Sequence, residues 1–127
     1  MHSRILSLLW LVAVLAACGN VPAAPASLED TSWVLQSLRG RAPLAGSTVT
    51  LHFADGRLGG SAGCNGYGGA YAVQGDKLTM GEIVSTLMYC MDPAGLMDQE
   101  QAFFQALTEV ARYRHGGARV RFGGDVT

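Results

Sequence analysis

The glycine-rich stretch Gly60–Tyr71, GSAGCNGYGGAY, is the feature that most restricts the fold of this chain. It holds five glycines, which makes a regular helix unfavourable there. Glycines within β-structure mark bulges, tight bends or places where another backbone approaches closely. Asn65-Gly66 is in addition a strong turn pair. We therefore expect this stretch to bend a strand sharply, as in a small barrel.

The same stretch does not match the loops that bind phosphate groups. A P-loop requires G-x-x-x-x-G-K-[ST], and no Lys-Ser or Lys-Thr pair follows a glycine in this chain. A dinucleotide-binding fingerprint requires a last glycine that Gly66–Tyr71 lacks, followed by a helix where we predict a strand. We therefore predict no nucleotide site and no cofactor.

Alternating apolar residues and turn pairs predict antiparallel strands on both sides of the glycine-rich stretch. The apolar residues of Thr48–Phe53 alternate, which is typical of a strand with one buried face. Asp55-Gly56 and Gly75-Asp76 are predicted hairpin turns. Ile83–Cys90 is predicted to be a further strand, because its first residues are β-branched. Another hairpin is expected over residues 113–122.

From Leu96 to about Arg112 the pattern becomes that of an amphipathic helix, with Phe103 and Leu107 on its apolar face. The polar residues are assigned to the opposite face: Asp98, Glu100, Gln101, Gln105 and Glu109. Asp92-Pro93 is predicted to begin the helix, with Asp92 as its N-cap. The order of elements predicts an α+β domain, a small, mainly antiparallel sheet or partly open barrel with one helix packed on it.

The first 18 residues predict export and lipidation. Ile5–Ala17 is uncharged and apolar but shorter than the roughly 20 residues that span a bilayer. After the basic opening it has the order of a secretory signal, and Leu15-Ala16-Ala17-Cys18 resembles the lipobox of bacterial lipoproteins. We therefore predict a signal peptide at 1–17, lipidation of Cys18, a flexible tether to residue 27, and one domain over 28–127.

The predicted mature chain points to a membrane and away from nucleic acid. Gly19 and not Asp follows Cys18, so the resemblance to proteobacterial lipoproteins implies an outer-membrane protein facing the periplasm. If the host has one membrane, the alternative location is the outer leaflet of that membrane. Without residues 1–17 the chain holds eight Lys and Arg against ten Asp and Glu, a net charge of −2. No dense basic run is present, so we predict no nucleic-acid partner. The expected partners are the membrane and an unknown envelope protein or lipid, and the protein is expected to be a monomer.

The three cysteines leave one internal pair. If Cys18 carries lipid, Cys64 and Cys90 remain, and an oxidising compartment favours a disulfide between them. A reduced pair, metal ligation and a nucleophilic Cys64 activated by His52 stay open as alternatives. The chain has no C-x-x-C or H-x-x-x-H pattern, and its methionines near Cys90 are more typical of core than of a copper site. We predict neither a metal site nor a catalytic site.

Two cysteine motifs carry a resemblance to META domains, the HslJ-like group. Gly63–Tyr71 resembles that family's G-C-N-x-(Y/F)-x-G-x-Y signature, and Thr86–Cys90 its T-x-M-x-C motif. Ser32–Leu35 is similar to the opening W-x-L strand, and Glu100–Leu107 to an E-x-x-(F/Y)-x-x-x-L segment. The motif residues that we single out are Trp33, Gly63, Asn65, Gly66, Tyr67, Gly69, Tyr71, Thr86 and Met88.

The resemblance covers residues 28–122 and implies a fold, a pairing and a role. It implies a mostly antiparallel β-structure with one helix, in which Cys64 and Cys90 are the family's paired cysteines. A final strand would begin near Gly123, so we expect the domain to lack its last strand or to leave one edge unpaired. The implied role is that of a non-enzymatic envelope lipoprotein in stress tolerance or outer-membrane maintenance. The alternative is a carrier or pilot-type module that binds an acyl chain or apolar peptide.

Overall fold

The computed structural model describes residues 19, 25–116 and 118–123. Those residues contain eight strands and one helix. In chain order they are β1 (Thr31–Val34), β2 (Thr50–Ala54), β3 (Arg57–Ser61), β4 (Gly66–Gln74), β5 (Lys77–Met80), β6 (Val84–Ser85), α1 (Leu96–Glu109), β7 (Tyr113–Gly116) and β8 (Arg119–Phe122). No helix in the described part of the chain has the length and apolar character needed to cross a membrane.

All strand pairs are antiparallel, and the long strand β4 organises the main sheet. Its first half pairs with β3, from Gly66 opposite Ser61 to Ala70 opposite Arg57. Its last four residues pair with β5, and the short strand β6 adds to its other edge at Tyr67 and Gly68. The main sheet therefore runs β1-β2-β3-β4-β5, with β6 beside β4. The predicted hairpin turns at residues 55–56 and 75–76 are both confirmed.

The β7–β8 hairpin continues from β5 without closing the sheet. Lys77 and Arg112 form a bridge, and the Leu78 amide donates to the Ala111 carbonyl oxygen at 3.0 Å. Within the described residues, β8 pairs with β7 and β1 with β2, and no ladder joins β8 to β1. The structure confirms a small α+β fold whose mostly antiparallel sheet carries one helix and is not closed into a barrel.

Helix α1 begins at Leu96, where the helical pattern begins, but its N-cap differs from the predicted one. Its N-cap is Gly95, whose left-handed backbone (φ 86°) suits glycine, and no side chain caps it. Asp92 was the predicted N-cap, and this prediction is wrong. The Leu96 amide donates to the Pro93 carbonyl oxygen, so residues 93–96 form a separate turn before the helix starts. The helix ends at Glu109, a few residues before the predicted end.

The core lies between the main sheet and α1. The alternating residues Val49, Leu51 and Phe53 are buried as predicted. Phe103 and Leu107 of α1 are buried against the same cluster. Leu28 is 1% exposed, and the Ala26 carbonyl accepts a hydrogen bond from the Tyr113 hydroxyl at 3.3 Å, so packing begins near the predicted end of the tether. The predicted signal peptide and Cys18 lie outside the described residues.

The predicted strand over residues 83–90 is mostly absent. Only Val84 and Ser85 pair with β4, and residues 86–91 form an irregular loop. The amide and carbonyl groups of Met88 bind the Asn65 side chain instead of a neighbouring strand. A side chain has thus taken the hydrogen-bonding groups that a strand would need, and the loop leaves the sheet.

Candidate functional site

Three of the motif residues, Asn65, Thr86 and Met88, meet at the turn between β3 and β4, where the side chain of Asn65 binds the other two. Its Oδ1 accepts from the Thr86 hydroxyl at 2.8 Å and from the Met88 amide at 2.7 Å. Its Nδ2 donates to the Met88 carbonyl oxygen at 3.1 Å and to Glu100 Oε1. A side-chain amide can donate two hydrogen bonds through its NH2 group and accept two through its oxygen. Asn65 therefore uses all its hydrogen-bonding capacity to join the turn, the 86–91 loop and α1.

Glu100 completes this network from the helix. Its Oε2 accepts from the backbone amides of Asn65 at 2.7 Å and Cys64 at 3.2 Å. The turn needs such a partner, because amides buried away from a sheet ladder must find acceptors elsewhere. The side chain is only 4% exposed. Our assignment of Glu100 to the solvent-facing side of the helix is therefore wrong. The sequence signal for a buried Glu100 was its place in the E-x-x-(F/Y)-x-x-x-L segment of the META resemblance.

A disulfide joins the turn between β3 and β4 covalently to the 86–91 loop. Cys64 and Cys90 are bonded with a Cα–Cα distance of 5.9 Å, within the ordinary range for disulfides. The Cys90 amide also donates to Met97 Sδ at 3.4 Å, which connects this end of the loop to α1. The predicted pairing is confirmed. With both sulfurs bonded to each other, Cys64 has no thiolate to act as a nucleophile.

Tyr67 anchors β4 to the core. Its ring packs edge-on against Phe103 and Phe104, with centroid distances of 5.4 and 5.6 Å. Its hydroxyl donates to the Thr50 carbonyl oxygen at 2.8 Å. Burial raises the pKa of the Tyr67 phenol. The side chain is therefore a neutral hydrogen-bond donor at ordinary pH.

Tyr71 lies farther along β4 and ties it to the start of the domain. Its ring packs edge-on against Phe53, and its hydroxyl donates to Glu29 Oε2. Burial and the hydrogen bond to Glu29 raise the pKa of Tyr71. The same hydrogen bond lowers the pKa of the Glu29 carboxyl. The two motif tyrosines thus hold β4 near its start and at its middle, and the structure does not bring them together in one site.

The three motif glycines differ in what they require. A Cβ atom at Gly69 would lie 2.7 Å from the Glu82 carbonyl oxygen and 2.8 Å from Ile83 Cδ1. Gly63 has φ +114°, a conformation that L side chains rarely adopt. A Cβ at Gly66 would meet only the Gly60 carbonyl oxygen, at an ordinary 3.8 Å. Close backbone approach, as expected from the sequence, is thus confirmed at Gly69.

We expect Gly69→Ala to lower the free energy of unfolding by about 1–3 kcal/mol, because the methyl group must push the backbone before β6 away from β4. Gly66→Ala is the matched control, and we expect it to change stability by less than about 0.5 kcal/mol. Urea denaturation of both variants measures the difference. Equal effects would show that close backbone approach is not what selects glycine at position 69.

A cleft lies where the sheet fails to close, between β1 and β8. It has a volume of about 560 Å³, with Val49, Leu51, Phe103, Leu107, Val120 and Phe122 among its lining residues. Trp33 stands at this cleft, with its Nε1 donating to Thr31 Oγ1 at 2.7 Å and its ring edge-on to His115. The cleft is large enough for a small apolar ligand.

The 86–91 loop and the residues before it expose an unusual number of apolar side chains. We call residues 84–91 the apolar loop. Its large hydrophobic residues are mostly in solvent: Val84 60%, Leu87 96%, Met88 56%, Tyr89 79% and Met91 83% exposed. Because Asn65 holds the backbone of Met88 in the middle of this loop, the network around Asn65 supports an apolar surface.

Among the residues that the structure describes, no group of three His, Cys, Asp or Glu side chains could hold a metal ion.

Comparisons with known proteins agree with this architecture. An NMR structure of a protein from Burkholderia xenovorans is 32% identical, with a TM-score of 0.61, over 84% of this chain and 88% of that chain. A second NMR structure, 20% identical, matches with a TM-score of 0.63 over 78% of this chain and 86% of that chain, and it supports the fold alone. Among curated proteins there is no match. The sequence model of the META domain matches residues 26–124, which include both cysteine motifs and the helix that carries Glu100. The chain therefore belongs to the META domain family.

Proposed function

We propose that this protein is a non-catalytic lipoprotein of the cell envelope that helps to maintain the outer membrane under stress. The observation that carries the proposal is the construction of the motif region. Asn65 uses all four of its hydrogen-bonding positions within the protein, and both cysteines of the motifs are bonded to each other. A catalytic group needs a reactive atom that is free to meet substrate. These residues instead hold a loop in place.

The disulfide also supports the proposed location. Structural disulfides form and persist in oxidising compartments such as the bacterial periplasm. The lipobox at Leu15–Cys18 predicts export to that side of the inner membrane, with Gly19 favouring the outer membrane. A diacylglyceryl group and an N-acyl chain would together anchor the protein stably, since a single chain gives only marginal membrane binding.

The proposal is tested in a deletion strain of the host. We expect the deletion to increase uptake of a hydrophobic fluorescent dye and sensitivity to hydrophobic antibiotics, most clearly after heat stress. The wild-type chain should restore the barrier, whereas Cys18→Ala should not, because it removes the lipidated residue. Gly66→Ala, which the structure tolerates, is the matched control. Normal dye uptake and drug tolerance in the deletion strain would contradict the proposal.

The cleft between β1 and β8 supports a second candidate, a carrier of an acyl chain or apolar peptide. Its volume of about 560 Å³ falls within the usual range for small-molecule sites. Native mass spectrometry of the protein purified from its own envelope distinguishes the candidates. Extra mass that survives native conditions and disappears on denaturation would support the carrier. A bare chain in both spectra would count against it.

A further inference from the structure

The apolar loop is exposed but firmly held. At one end β6 pairs with β4, and the Thr86 amide donates to the Gly66 carbonyl oxygen at 3.0 Å. In the middle both backbone groups of Met88 bind Asn65. At the other end Cys90 is bonded to Cys64. A surface fixed in this way loses little conformational entropy when it binds, which is an advantage for a docking site.

Beside the loop lies a groove that would receive part of a partner. It separates the loop from α1, has a volume of about 650 Å³, and is lined by Met88, Met97, Phe104 and Thr108 among others. Soluble monomers rarely expose large contiguous apolar patches, and patches of this kind commonly mark interaction sites. Methionine suits such surfaces because its side chain adapts to a partner's shape. The loop and the groove together form one face with a ridge and a depression.

The charges around this face define the partner. Residues 78–111, which supply the loop, α1 and the segments before them, contain no Lys, Arg or His. Of their five acidic residues, Glu100 is buried and Glu109 lies in an ion pair. Glu82 and Asp92 flank the apolar loop and are exposed. Charge complementarity therefore favours a partner with basic residues around its apolar ones. An anionic lipid surface, or the same face of a second copy of this chain, would bring charge of the same sign to this face.

The apolar loop also lies away from the point where the chain enters the domain. The loop is hydrogen-bonded to Gly66, at the start of β4. Glu29, near the domain's first residue, is hydrogen-bonded to Tyr71. Five residues of strand separate these two points, a distance of about 16 Å. The apolar face is thus at the start of β4, away from the point where the chain enters the domain, and in a periplasmic lipoprotein it would be open to another envelope protein.

We propose that the apolar loop and its groove bind a basic, amphipathic segment of another envelope protein. This deepens the proposed function, on which it rests, because it names the kind of partner through which a non-catalytic lipoprotein would act. Apolar residues of the segment would contact Leu87 and Tyr89 and enter the groove, while its Lys or Arg residues would lie near Glu82 and Asp92.

The test uses the full chain in its own envelope, with a photo-crosslinking amino acid placed at Leu87 or Tyr89. Val73, an exposed apolar residue of β4 outside the loop, is the matched control position. We expect a protein adduct from the loop positions and about tenfold less from position 73. Glu82→Gln with Asp92→Asn should reduce the adduct severalfold, as should raising salt from about 0.05 to about 0.5 M in isolated membranes. Each variant should melt within about 4 °C of the wild type.

The mapped crosslink decides between the possible occupants. A crosslinked peptide that is apolar and rich in Lys or Arg, lost in the double charge variant, supports the proposal. An adduct of twice the chain's mass would mean a second copy, an acidic or uncharged peptide would mean a different partner, and absence of any protein adduct would mean lipid or solvent. Each of these three results overturns the proposal. Dye uptake in the deletion strain is scored separately, so the docking proposal can fail while the envelope role stands.

Discussion

Replacing Asn65 with alanine is expected to lower the free energy of unfolding by about 3–5 kcal/mol, because it leaves several buried polar groups, Glu100 Oε1 among them, without their hydrogen-bond partner. Asn65 is 3% exposed and Glu100 4% exposed, so water cannot readily replace the lost amide. The 86–91 loop loses its two bonds from Met88 at the same time. Urea denaturation of the purified variant measures the change. Without urea, hydrogen exchange at the Met88 amide should be faster in the variant than in the wild type while the domain remains folded.

Two further variants separate the network from simple loss of volume. Thr86→Val removes one hydrogen bond and keeps the side chain's shape, so we expect a loss of about 1 kcal/mol. Asn65→Asp keeps the shape of the hub but places a second carboxylate beside Glu100. Its penalty should be large at neutral pH and shrink as the pH falls and the introduced Asp side chain is protonated. If Asn65→Ala cost no more than Thr86→Val, Asn65 would not be the centre of the network.

Much of the fold follows from local sequence signals. Asp55-Gly56 and Gly75-Asp76 form the predicted turns because their backbone preferences act over only four residues. The alternation around Leu51 and the helical spacing of Phe103 and Leu107 identified the buried faces correctly, since burial follows directly from periodicity. The disulfide was the expected pairing once Cys18 was assigned to lipid, and the structure contains it.

The site could be predicted only in part, because its decisive contacts join distant segments. Ile83–Cys90 has the composition of a strand, yet Asn65, more than 20 residues earlier, takes the backbone groups of Met88. A charged residue on an amphipathic helix is ordinarily on its solvent side, and the helical periodicity around Glu100 gives no other indication. Its position is explained by hydrogen bonds from residues 64 and 65, namely both backbone amides and the Asn65 side chain. Periodicity cannot identify a hydrogen-bond acceptor of this kind.

Removing the disulfide with Cys64→Ala and Cys90→Ala together is expected to lower the free energy of unfolding by about 3.5 kcal/mol. The bond closes a loop of 26 residues, and the expected loss is the conformational freedom that the unfolded chain regains when that loop opens. For a domain of ordinary stability this is a large share of the total. The paired replacement removes both partners of the bond at once, so neither is left as an unpaired thiol and the variant reports on the cross-link alone. Urea denaturation under oxidising conditions measures the change.

The same variant tests how the disulfide acts. A reductant should lower the free energy of unfolding of the wild type to that of the variant. The variant is the control, because it has no disulfide between residues 64 and 90 for the reductant to break. The Met88 amide should stay protected from exchange, since its bond to Asn65 does not depend on the cross-link. Adding Asn65→Ala should then lower stability by nearly the amount seen with the disulfide intact, because one change acts on the unfolded chain and the other on the folded network. A combined loss far from the sum would show that the disulfide also positions the apolar loop in the folded protein.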